Sequence, residues 1–386
     1  MSTAIPSKRK LAAYLGRFSS FHIGHAGVLE RALLIYEKVL VIVGSADRPR
    51  TVKNPWTAQE RAGVIRAWYE RAKSINAGLG ELIVVTNKDF PYNNNLWLES
   101  IQEKIAAVEP DRKQVWITGA HRDESTWYLK QLSACYNMDL VEENRDVSLY
   151  LSATVIREMY FGKVFNGSPI GPKDFDLLMR SFVPPTTFSF LVRFQETPEY
   201  SKLVDAYNVI KKRLDGRQRK DGHTTVDITI DSVIFQTGHV LLIKRRNNPG
   251  KGLWAFPGGY LEENEWTFDG SLRELDEETK LKVPPAVLRT SLVFSDWFEH
   301  PGRSEVGRTI THAFCYQLPD FVVDGKIIMP KVKGANANGE GDGFDDAGKQ
   351  KWFTFNEFDS MSSEMFDDHY DIGKDFINRS RSKDGR

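Results

Sequence analysis

Short apolar runs alternate with amphipathic stretches throughout the first 185 residues. The apolar runs are rich in β-branched and aliphatic residues, which favour strands; they read LAAYLG, KVLVIVG, ELIVVTN, KQVWITG and MDLVEE. The stretches between them, such as TAQERAGVIRAWYERA and NNLWLESIQEKIAAV, have the apolar spacing of helices. Strands separated by helices pair in parallel, and apolar strands need cover on both faces of the sheet. We therefore predict an α/β domain over residues 1–185, with ligands bound at the carboxyl ends of its strands.

The pattern changes at Pro184-Pro185, which cannot continue a helix and which mark a predicted domain boundary. Residues 186–223 contain one helical stretch followed by a basic, polar run, which indicates a connector with one helix. In residues 224–386, strand-like runs surround a glycine-rich loop and one strong helix, which is the order of an α+β domain. The first two strands of this domain are expected to form a hairpin that turns at Thr237-Gly238.

Length, charge and cysteine content limit the classes of protein to consider. A chain of 386 residues is long enough for two or three domains. Its 52 basic and 52 acidic side chains cancel, which disfavours a nucleic-acid partner. Two distant cysteines, Cys135 and Cys315, are expected to stay reduced in the cytosol. We expect neither a signal peptide nor a membrane span, because no apolar run approaches ~18 residues; a homo-oligomer is an open possibility.

A predicted strand-to-helix turn holds Gly16-Arg17-Phe18 and, just after it, His22-Ile23-Gly24-His25. The N-terminus of a helix presents unpaired N–H groups and a positive dipole end, and therefore binds phosphate. Gly24 lets the backbone come close to a ligand, and the two histidines can donate hydrogen bonds to phosphate oxygens. Three interpretations are open at this point: the ATP site of a class I aminoacyl-tRNA synthetase, the phosphate site of a small nucleotidyltransferase, or two surface histidines near a helix start.

A second stretch, LSATVIREMYFGK, favours a nucleotidyltransferase. Ser152 and Thr154 precede a predicted helix, and either can cap it while other N–H groups stay available to phosphate. Capping explains these two residues but does not call for Arg157, which lies in the first turn and is aimed at the same charge. The chain shows neither a Lys-Met-Ser-Lys-Ser-like loop nor a tRNA-binding domain, which disfavours a synthetase.

Over roughly its first 160 residues the chain resembles the nicotinamide mononucleotide (NMN) adenylyltransferases of archaea and some bacteria. The resemblance implies a Rossmann-like nucleotidyltransferase domain that transfers AMP from ATP to NMN and releases pyrophosphate, with Mg²⁺ at the phosphates. It implies contacts to ATP and its phosphates from Gly16, Arg17, Phe18, Gly24, Ser152, Thr154 and Arg157. It also implies catalysis by positioning and charge neutralisation, which are assigned to His22, His25 and Arg157.

The resemblance extends to the nicotinamide side of the reaction. The stretch NNLW fits the family's Asn-x-x-Trp pattern, which implies that Asn94 bonds the carboxamide and that Trp97 stacks on the ring. Trp56, in the similar segment NPWTAQER, is a further implied NMN contact, and Thr118–Leu129 is similar to the loop near the adenosine. From the residues alone, Trp97 is equally well a core residue of an amphipathic helix. The acceptor also stays open, because pantetheine and glycerol phosphates are alternatives to NMN.

The second half contains a motif with fixed spacing: Gly259, five residues, Glu265, seven residues, then Arg273-Glu274-Leu275-x-Glu277-Glu278. On a helix, positions 274, 277 and 278 lie on one face. Three like charges this close destabilise an isolated helix, but they suit divalent cations, and hard oxygen ligands favour Mg²⁺ or Mn²⁺. The alternative is a solvated acidic helix.

This motif resembles the Nudix box, whose enzymes hydrolyse nucleoside diphosphates linked to a further group. The resemblance assigns metal binding to Glu274, Glu277 and Glu278, catalysis to Glu278, and structural roles to Gly259, Glu265 and Arg273. Lys280 stands where the family has the glycine that ends the helix. We expect this replacement to alter the local geometry at a cost of about 1 kcal/mol.

The two resemblances together are those of the bifunctional NMN adenylyltransferase/ADP-ribose pyrophosphatase family. They imply that one half makes NAD and that the other cleaves ADP-ribose to AMP and ribose 5-phosphate. An alternative that stays open is a Nudix half that senses ADP-ribose or NAD without turnover. Trp297, Phe298 and Trp352 are candidates for stacking on a base, and each is equally a candidate core residue.

Overall fold

The computed structural model describes most of the chain and divides it into two compact units. The described residues are 7–120, 126–141, 152–217, 225–324, 326–332, 341–342 and 347–384. Residues 1–204 form unit 1 and residues 205–386 form unit 2. Cys135 lies in unit 1 and Cys315 in unit 2, and both are free thiols. Within the described residues, no helix is both long enough and apolar enough to cross a membrane.

Unit 1 is built on a five-stranded parallel sheet, as the alternating sequence pattern predicts. Its strands are β1 Arg9–Gly16, β2 Tyr36–Val43, β3 Glu81–Thr86, β4 Val115–Ala120 and β5 Asn137–Val141. They lie in the order β3-β2-β1-β4-β5, with every neighbouring pair parallel. The chain builds outward from β1 in both directions, so a crevice opens at the carboxyl end of β1. The Gly16-Arg17-Phe18 turn begins at this crevice.

Helices cover both faces of this sheet. They are α1 Ile23–Ile35, α2 Ala58–Ile75, α3 Asn94–Ala106 and α4 Trp127–Leu132. Along β1 the side chains alternate between faces: Ala12 and Tyr14 pack in the cluster that includes α1 and α2. Leu11 and Ala13 pack on the other face, in the cluster that includes α3 and α4. Burial on both faces explains why the strand sequences are apolar throughout.

Further helices and one small hairpin follow the sheet. They are α5 Ala153–Arg157, β6 Val164–Phe165, β7 Ser168–Pro169, α6 Pro172–Phe182, α7 Pro185–Phe194 and α8 Pro198–Gly216. A π-helical turn over Glu158–Gly162 continues directly from α5. The helix α8 runs across residue 204, where unit 1 ends.

The expectation of a connector with one helix over residues 186–223 is wrong, because this region contains most of α7 as well as α8. Pro185 is the first residue of α7, a position where its ring fits and no N–H is needed. The proline pair therefore ends one helix and starts the next. The Thr187 hydroxyl of α7 donates a 2.9 Å hydrogen bond to the Phe21 carbonyl, which anchors α7 to unit 1. The domain boundaries at residues 185 and 223 stay predictions.

Unit 2 has the α+β order expected from the sequence and a mixed sheet. Its strands are β8 Asp227–Gln236, β9 His239–Arg245, β10 Trp254–Ala255, β11 Gly258–Tyr260, β12 Leu292–Phe298, β13 Thr309–Gln317, β14 Phe321–Val323, β15 Lys326–Ile328, β16 Gly341–Asp342 and β17 Ala347–Thr354. The main order is β12-β13-β8-β9-β17-β16, with β10 beside β9 and β11 beside β8. The predicted hairpin joins β8 to β9. Its turn residues Thr237 and Gly238 both have positive φ, 47° and 70°, as a tight hairpin turn requires.

Helices lie on both faces of the unit 2 sheet as well. They are α9 Thr267–Thr279, α10 Pro285–Thr290, α11 Phe355–Asp359 and α12 His369–Asp384. Leu275 of α9 packs with Ile230 on one face of β8. Phe376 of α12 packs with Val233 on the other face. The helix with the acidic motif is therefore held against the centre of the sheet.

Helix α9 ends at Lys280, the position where the Nudix box usually has glycine. Lys280 adopts the left-handed conformation, with φ 47° and ψ 41°, and its N–H donates to the Asp276 carbonyl. Its ammonium group also donates a 2.7 Å hydrogen bond to the Asp276 carboxylate. The expected change in local geometry is therefore wrong: the helix ends in the conformation that glycine would adopt, and the lysine bears its steric cost.

Lys280→Gly is expected to stabilise unit 2 by about 0.5–1 kcal/mol. The substitution removes the ~1 kcal/mol cost of a left-handed side chain and gives up an exposed ion pair worth at most ~0.5 kcal/mol. Chemical denaturation of the full chain measures the effect. Lys280→Ala is the matched control, since it loses the ion pair but keeps the Cβ, and it should be no more stable than the wild type. Equal stabilisation by both substitutions would contradict the steric explanation.

Candidate active sites

The first motif of unit 1 folds into a compact turn at the carboxyl end of β1. Phe18 has a positive φ of 50°, and its ring packs against Tyr14 and His25 with centroid separations of 5.1 and 5.0 Å. A Cβ atom at Gly16 would lie 3.0 Å from the Phe18 ring, so glycine allows the ring to fold back over the strand end. The Phe18 side chain is buried, so it supports the turn from below.

The two histidines of the motif cap α1 reciprocally. The His25 N–H points at Nδ1 of His22 and the His22 N–H points at Nδ1 of His25, both at 3.4 Å. The two rings stack with their centroids 3.7 Å apart. This is the geometry of a capping box made from histidines. His22 is fully buried, whereas His25 is partly exposed, so His25 is the better placed of the two to reach a ligand.

A buried arginine that the sequence analysis did not single out holds this turn in place. Arg61 is only 4% exposed, and its guanidinium donates to the carbonyls of three separate segments. Its Nη1 donates to Arg17 and to Gly44, the latter at 2.8 Å. Its Nη2 donates to Ser45 at 2.9 Å, and Nε donates to Trp56 at 3.1 Å. Burial lowers the pKa of Arg61 to about 10, so the group stays charged beneath the turn after β1.

The second motif begins where the sequence predicts. Ser152 caps α5, and its hydroxyl accepts from the Val155 N–H at 3.2 Å. Arg157 donates a 3.1 Å hydrogen bond to the Thr154 hydroxyl. The turn that continues from α5 is tied to α7, because the Tyr160 hydroxyl donates to the Leu191 carbonyl at 2.7 Å. Since α7 also bonds the carbonyl of Phe21, next to His22, α7 connects the two motifs.

The residues expected on the nicotinamide side fall into two groups. Asn94 is the first residue of α3 and is exposed. Trp97 is partly buried, and its ring packs against Trp127 and Tyr128 with centroid separations of 5.7 and 5.4 Å. Trp56, by contrast, is 3% exposed in an aromatic cluster that includes Phe194, and its expected role as an NMN contact stays a prediction. Part of the expected adenosine loop, residues 121–125, lies outside the described residues.

In unit 2, Arg273 is the centre of the acidic motif. Its guanidinium pairs with Glu265 through two hydrogen bonds of 2.7 and 2.9 Å, as expected for the structural pair. It also donates to Glu274 at 2.8 Å and to Glu277 at 3.0 Å. A further bond of 3.3 Å reaches the carbonyl of Tyr260 on β11. One arginine thus connects the loop, the strand and two of the three helix carboxylates.

The strand β11 lies directly against the carboxylates of α9. The Gly258 N–H donates to Oε2 of Glu278 at 2.9 Å, and Glu278 is buried. A Cβ atom at Gly259 would lie 2.4 Å from Oε1 of Glu274, so only glycine allows this contact. Burial raises the pKa of Glu274, and this effect exceeds the opposing effect of Arg273. The Glu274 and Glu278 carboxylates are therefore held in a largely desolvated place between helix and strand, whereas Glu277 is more exposed.

The donor set fits a divalent cation of the Mg²⁺ or Mn²⁺ type. Glu274, Glu277 and Glu278 offer hard carboxylate oxygens from one helical face, and glycine on β11 lets the Glu274 carboxylate lie against the strand. In the described residues, no group of three or more acidic, histidine or cysteine side chains is already gathered in a ligating arrangement. Arg273 holds Glu274 and Glu277, while Glu278 faces Gly258.

Burial separates the three aromatic residues that are candidates for stacking on a base. Phe298 and Trp352 are 5% and 9% exposed and belong to the core clusters of unit 2. Trp297 is 47% exposed, and one face of its indole stacks on His312 at 4.3 Å with the planes 14° apart. Across the sheet, Trp297 pairs with His312, His312 with Ile230, and Ile230 with Gly259. Directly paired residues share a face, so Trp297 lies on the face that carries α9.

Comparison with known families accounts for both units. A cytidylyltransferase-like domain matches residues 13–180, and a NUDIX domain matches residues 226–376. An ADP-ribose pyrophosphatase from Methanocaldococcus jannaschii is 31% identical over 169 residues, which are 44% of this chain and 82% of that protein. The chain belongs to the Nudix family.

Two further relatives place the Nudix domain in a larger architecture. A nicotinamide/nicotinic acid mononucleotide adenylyltransferase from Acinetobacter baylyi is 29% identical over 195 residues, which are 50% of this chain and 91% of that protein. A bifunctional NMN adenylyltransferase/ADP ribose pyrophosphatase from Francisella tularensis, complexed with AMP and a manganese ion, has the same fold. It matches 96% of this chain and 99% of its own with a TM-score of 0.79 at 23% identity. The expected architecture, a parallel-sheet nucleotidyltransferase-like domain followed by a Nudix domain, is confirmed.

Arg61→Lys is expected to destabilise unit 1 by about 2 kcal/mol. Lysine keeps the charge but cannot reach carbonyls of three segments with one nitrogen, and each buried carbonyl left without a donor costs about 1–3 kcal/mol. Denaturant unfolding of the full chain measures the loss. The matched control is Arg66→Lys on the same helix, where an exposed side chain makes one hydrogen bond to Val84. If the two substitutions cost the same, Arg61 does not hold the turn.

Proposed function

We propose that the chain is a two-site enzyme of NAD metabolism. Unit 1 transfers AMP from ATP to NMN and releases pyrophosphate, and unit 2 hydrolyses ADP-ribose to AMP and ribose 5-phosphate. The observation that carries this proposal is the succession of the two domains along one chain, with the first motif at the start of α1 and the acidic motif on α9. The relatives named above as an adenylyltransferase, a pyrophosphatase and a bifunctional enzyme support both activities.

In unit 1, the reaction is an in-line attack by the NMN phosphate on the α-phosphorus of ATP. The new P–O bond forms as the bond to pyrophosphate breaks, so no covalent intermediate with the protein is needed. Catalysis then depends on positioning and on neutralising charge. The N–H groups at the start of α1 and the partly exposed His25 meet the phosphates, while the buried His22 fixes the helix start. Arg157 contributes a positive charge near the phosphates, and Mg²⁺ when bound would neutralise the phosphates further.

The acceptor is the nicotinamide mononucleotide rather than a pantetheine or glycerol phosphate. Trp97 of α3 lies with Trp127 and Tyr128 of α4 in one aromatic group. Such a group stacks on an aromatic ring, which the two alternative acceptors lack. Asn94 is exposed beside it and offers an amide that can pair with the carboxamide.

In unit 2, water attacks one phosphorus of the diphosphate and the bridging P–O bond breaks. Glu274, Glu277 and Glu278 would hold the cation, which when bound supplies charge neutralisation at the diphosphate and lowers the pKa of water. Gly258 fixes Glu278 through its N–H, and Arg273 orients the other two carboxylates. The sensor alternative is disfavoured, because the box carboxylates are intact and Lys280 keeps the usual end of the helix.

Small nucleotides are thus the proposed ligands of both units. The cytosolic location, Mg²⁺ or Mn²⁺ as the cation, the lack of a nucleic-acid partner and a homo-oligomer stay predictions.

Two single substitutions, each made separately in the full chain, test the two proposed activities. Each should lower one activity and leave the other unchanged. His25→Ala should lower NAD synthesis by about a hundredfold, because it removes a contact to developing charge. Glu278→Gln keeps the volume of the side chain but removes an anionic ligand, and it should lower ADP-ribose hydrolysis by about a hundredfold. Each variant should keep the other activity at the wild-type rate. Both activities are measured on the same preparation by chromatography of the products.

The outcomes of this pair separate the alternatives. Wild-type NAD synthesis by His25→Ala would remove His25 from the mechanism, and wild-type hydrolysis by Glu278→Gln would remove the metal assignment. Loss of both activities in either variant would contradict independent sites. Binding of ADP-ribose by the wild type without hydrolysis would establish the sensor function.

Trp297 is proposed to stack on the adenine of ADP-ribose. Trp297→Ala should raise the KM for ADP-ribose about tenfold with a smaller change in kcat, since stacking one base on an aromatic residue is worth about 1–3 kcal/mol. Trp297→Phe is the matched control because it retains an aromatic face, and its KM should lie near the wild-type value. An unchanged KM in Trp297→Ala would place the base elsewhere.

A further inference from the structure

We infer that His369 is a positioning residue for Glu278, and that it acts through the backbone of Phe256-Pro257-Gly258. This inference rests on the function proposed for unit 2. His369 is the first residue of α12, more than a hundred positions along the chain from Gly258, and it belongs to no part of the Nudix box. A buried hydrogen-bond path nevertheless connects it to the catalytic carboxylate.

The path begins where the chain crosses between two strands of the sheet. Trp254 and Ala255 pair with β9, whereas Gly258 pairs with Asp231 on β8. Phe256 and Pro257 make the crossing and lie in neither ladder. Pro257 has no N–H, and its carbonyl accepts from the Ser232 N–H at 2.8 Å. The Phe256 N–H is therefore the one donor of the crossing that needs a partner outside the strands.

His369 supplies that partner. The Phe256 N–H donates to Nδ1 of His369 at 3.0 Å, and the two rings stack with centroids 5.5 Å apart. A nitrogen that accepts a hydrogen bond carries no proton, so His369 is the neutral tautomer with its proton on Nε2. Nε2 faces Oδ1 of Asp231 at 3.8 Å. Burial lowers the pKa of His369, which keeps the ring neutral and its Nδ1 lone pair available.

The far end of the crossing meets the active site. The Gly258 N–H donates to Glu278 at 2.9 Å, so any shift of this backbone moves the donor that orients the carboxylate. A Cβ atom at Gly258 would lie 2.7 Å from Oδ1 of Asp231 and 2.2 Å from the Ile230 carbonyl. The backbone is thus held tightly between β8 on one side and Glu278 on the other. Both of these contacts are at Gly258, and His369 fixes the other end of the crossing at Phe256.

A buried charge network keeps the histidine itself in place. Asp368, its neighbour in the chain, accepts two hydrogen bonds from Arg303 at 3.0 and 2.9 Å. Asp231 accepts a 2.6 Å hydrogen bond from the Thr311 hydroxyl and lies 3.9 Å from Arg303. Removing a charged member would leave its partner buried and unpaired, and would destabilise the fold for that reason alone. The neutral His369 is therefore the residue whose substitution tests positioning.

The decisive comparison is His369→Asn against His369→Gln in the full chain. The asparagine amide lies where Nδ1 lies and can accept from the Phe256 N–H, whereas the glutamine amide lies nearer to Nε2. We expect His369→Asn to keep at least a third of the wild-type kcat for ADP-ribose. We expect His369→Gln to lose about tenfold in kcat and about tenfold in Mn²⁺ affinity, as indirect metal contacts typically do. NAD synthesis by the same preparations should be unchanged.

Calorimetric titration with Mn²⁺ alone gives a readout that does not require hydrolysis. If the wild type fails to cleave ADP-ribose, the proposed function fails, but weaker Mn²⁺ binding by His369→Gln than by His369→Asn still supports the positioning role. A purely structural role predicts equal losses in both variants, with a lower melting temperature and an unchanged Mn²⁺ affinity. Equal Mn²⁺ affinities would overturn the inference.

The tautomer of His369 provides a second test, which requires only the wild type and His369→Asn. Two-bond ¹H–¹⁵N spectra of the wild type distinguish a proton on Nε2 from one on Nδ1, and His369→Asn identifies the signal by its disappearance. A neutral ring protonated at Nε2 supports the path. A ring protonated at Nδ1 would overturn it, whatever the activities.

Discussion

The contact between the β11 backbone and the carboxylates of α9 is the constraint around which unit 2 is arranged. Gly258 donates to Glu278, and Gly259 lies so close to Glu274 that any larger residue would collide with it. A strand can approach a helix this closely only if both are held from behind. Leu275 and Ile230 pack α9 onto the sheet, and the crossing before Gly258 is fixed by side chains from distant parts of the chain. The acidic surface is thus a product of the whole unit rather than of the motif alone.

In unit 1 a different side chain, that of Arg61, holds the backbone of the candidate site in place. Its phosphate turn is a loop whose carbonyls would be buried without partners if Arg61 did not bond them. A single planar cation reaches the turn after β1 and the segment after β2 together. The same positive charge lies beneath the place where the proposed reaction gathers negative charge. In both units, one buried side chain outside the recognised motif fixes the backbone that the motif depends on.

Most local features could be predicted from the sequence, because their causes are local. The spacing of the apolar residues predicts the parallel sheet, Thr237-Gly238 between two strand-like runs predicts the hairpin, and Ser152 before a helical stretch predicts a cap. Helix α7 was not predicted because a proline pair is typical of the end of a helix, although here Pro185 also starts the next one. The role of Trp56 could not be settled from the sequence, because an aromatic residue beside a motif has the same sequence pattern whether it faces a pocket or the core.

Contacts between residues far apart in the chain could not be predicted, because no local sequence pattern indicates them. His369 and Phe256 are 113 positions apart, and nothing in the letters around either indicates the other. Arg61 follows a readable capping box at Thr57 and Glu60, but only the fold shows that its guanidinium points toward the strand ends.

The strand order of unit 1 also governs the course of folding. Strand β1 lies in the middle of the sheet, and Leu11 pairs both with Lys38 of β2 and with Val115 of β4. During synthesis β2 is made soon after β1, but β4 is made much later. One edge of the apolar strand β1 therefore stays unpaired until β4 has been made. Such distant pairing slows folding, because a long loop must close before the contact forms. The strand that leads into the Gly16-Arg17-Phe18 turn thus completes its pairing only after a long further stretch of chain has been made.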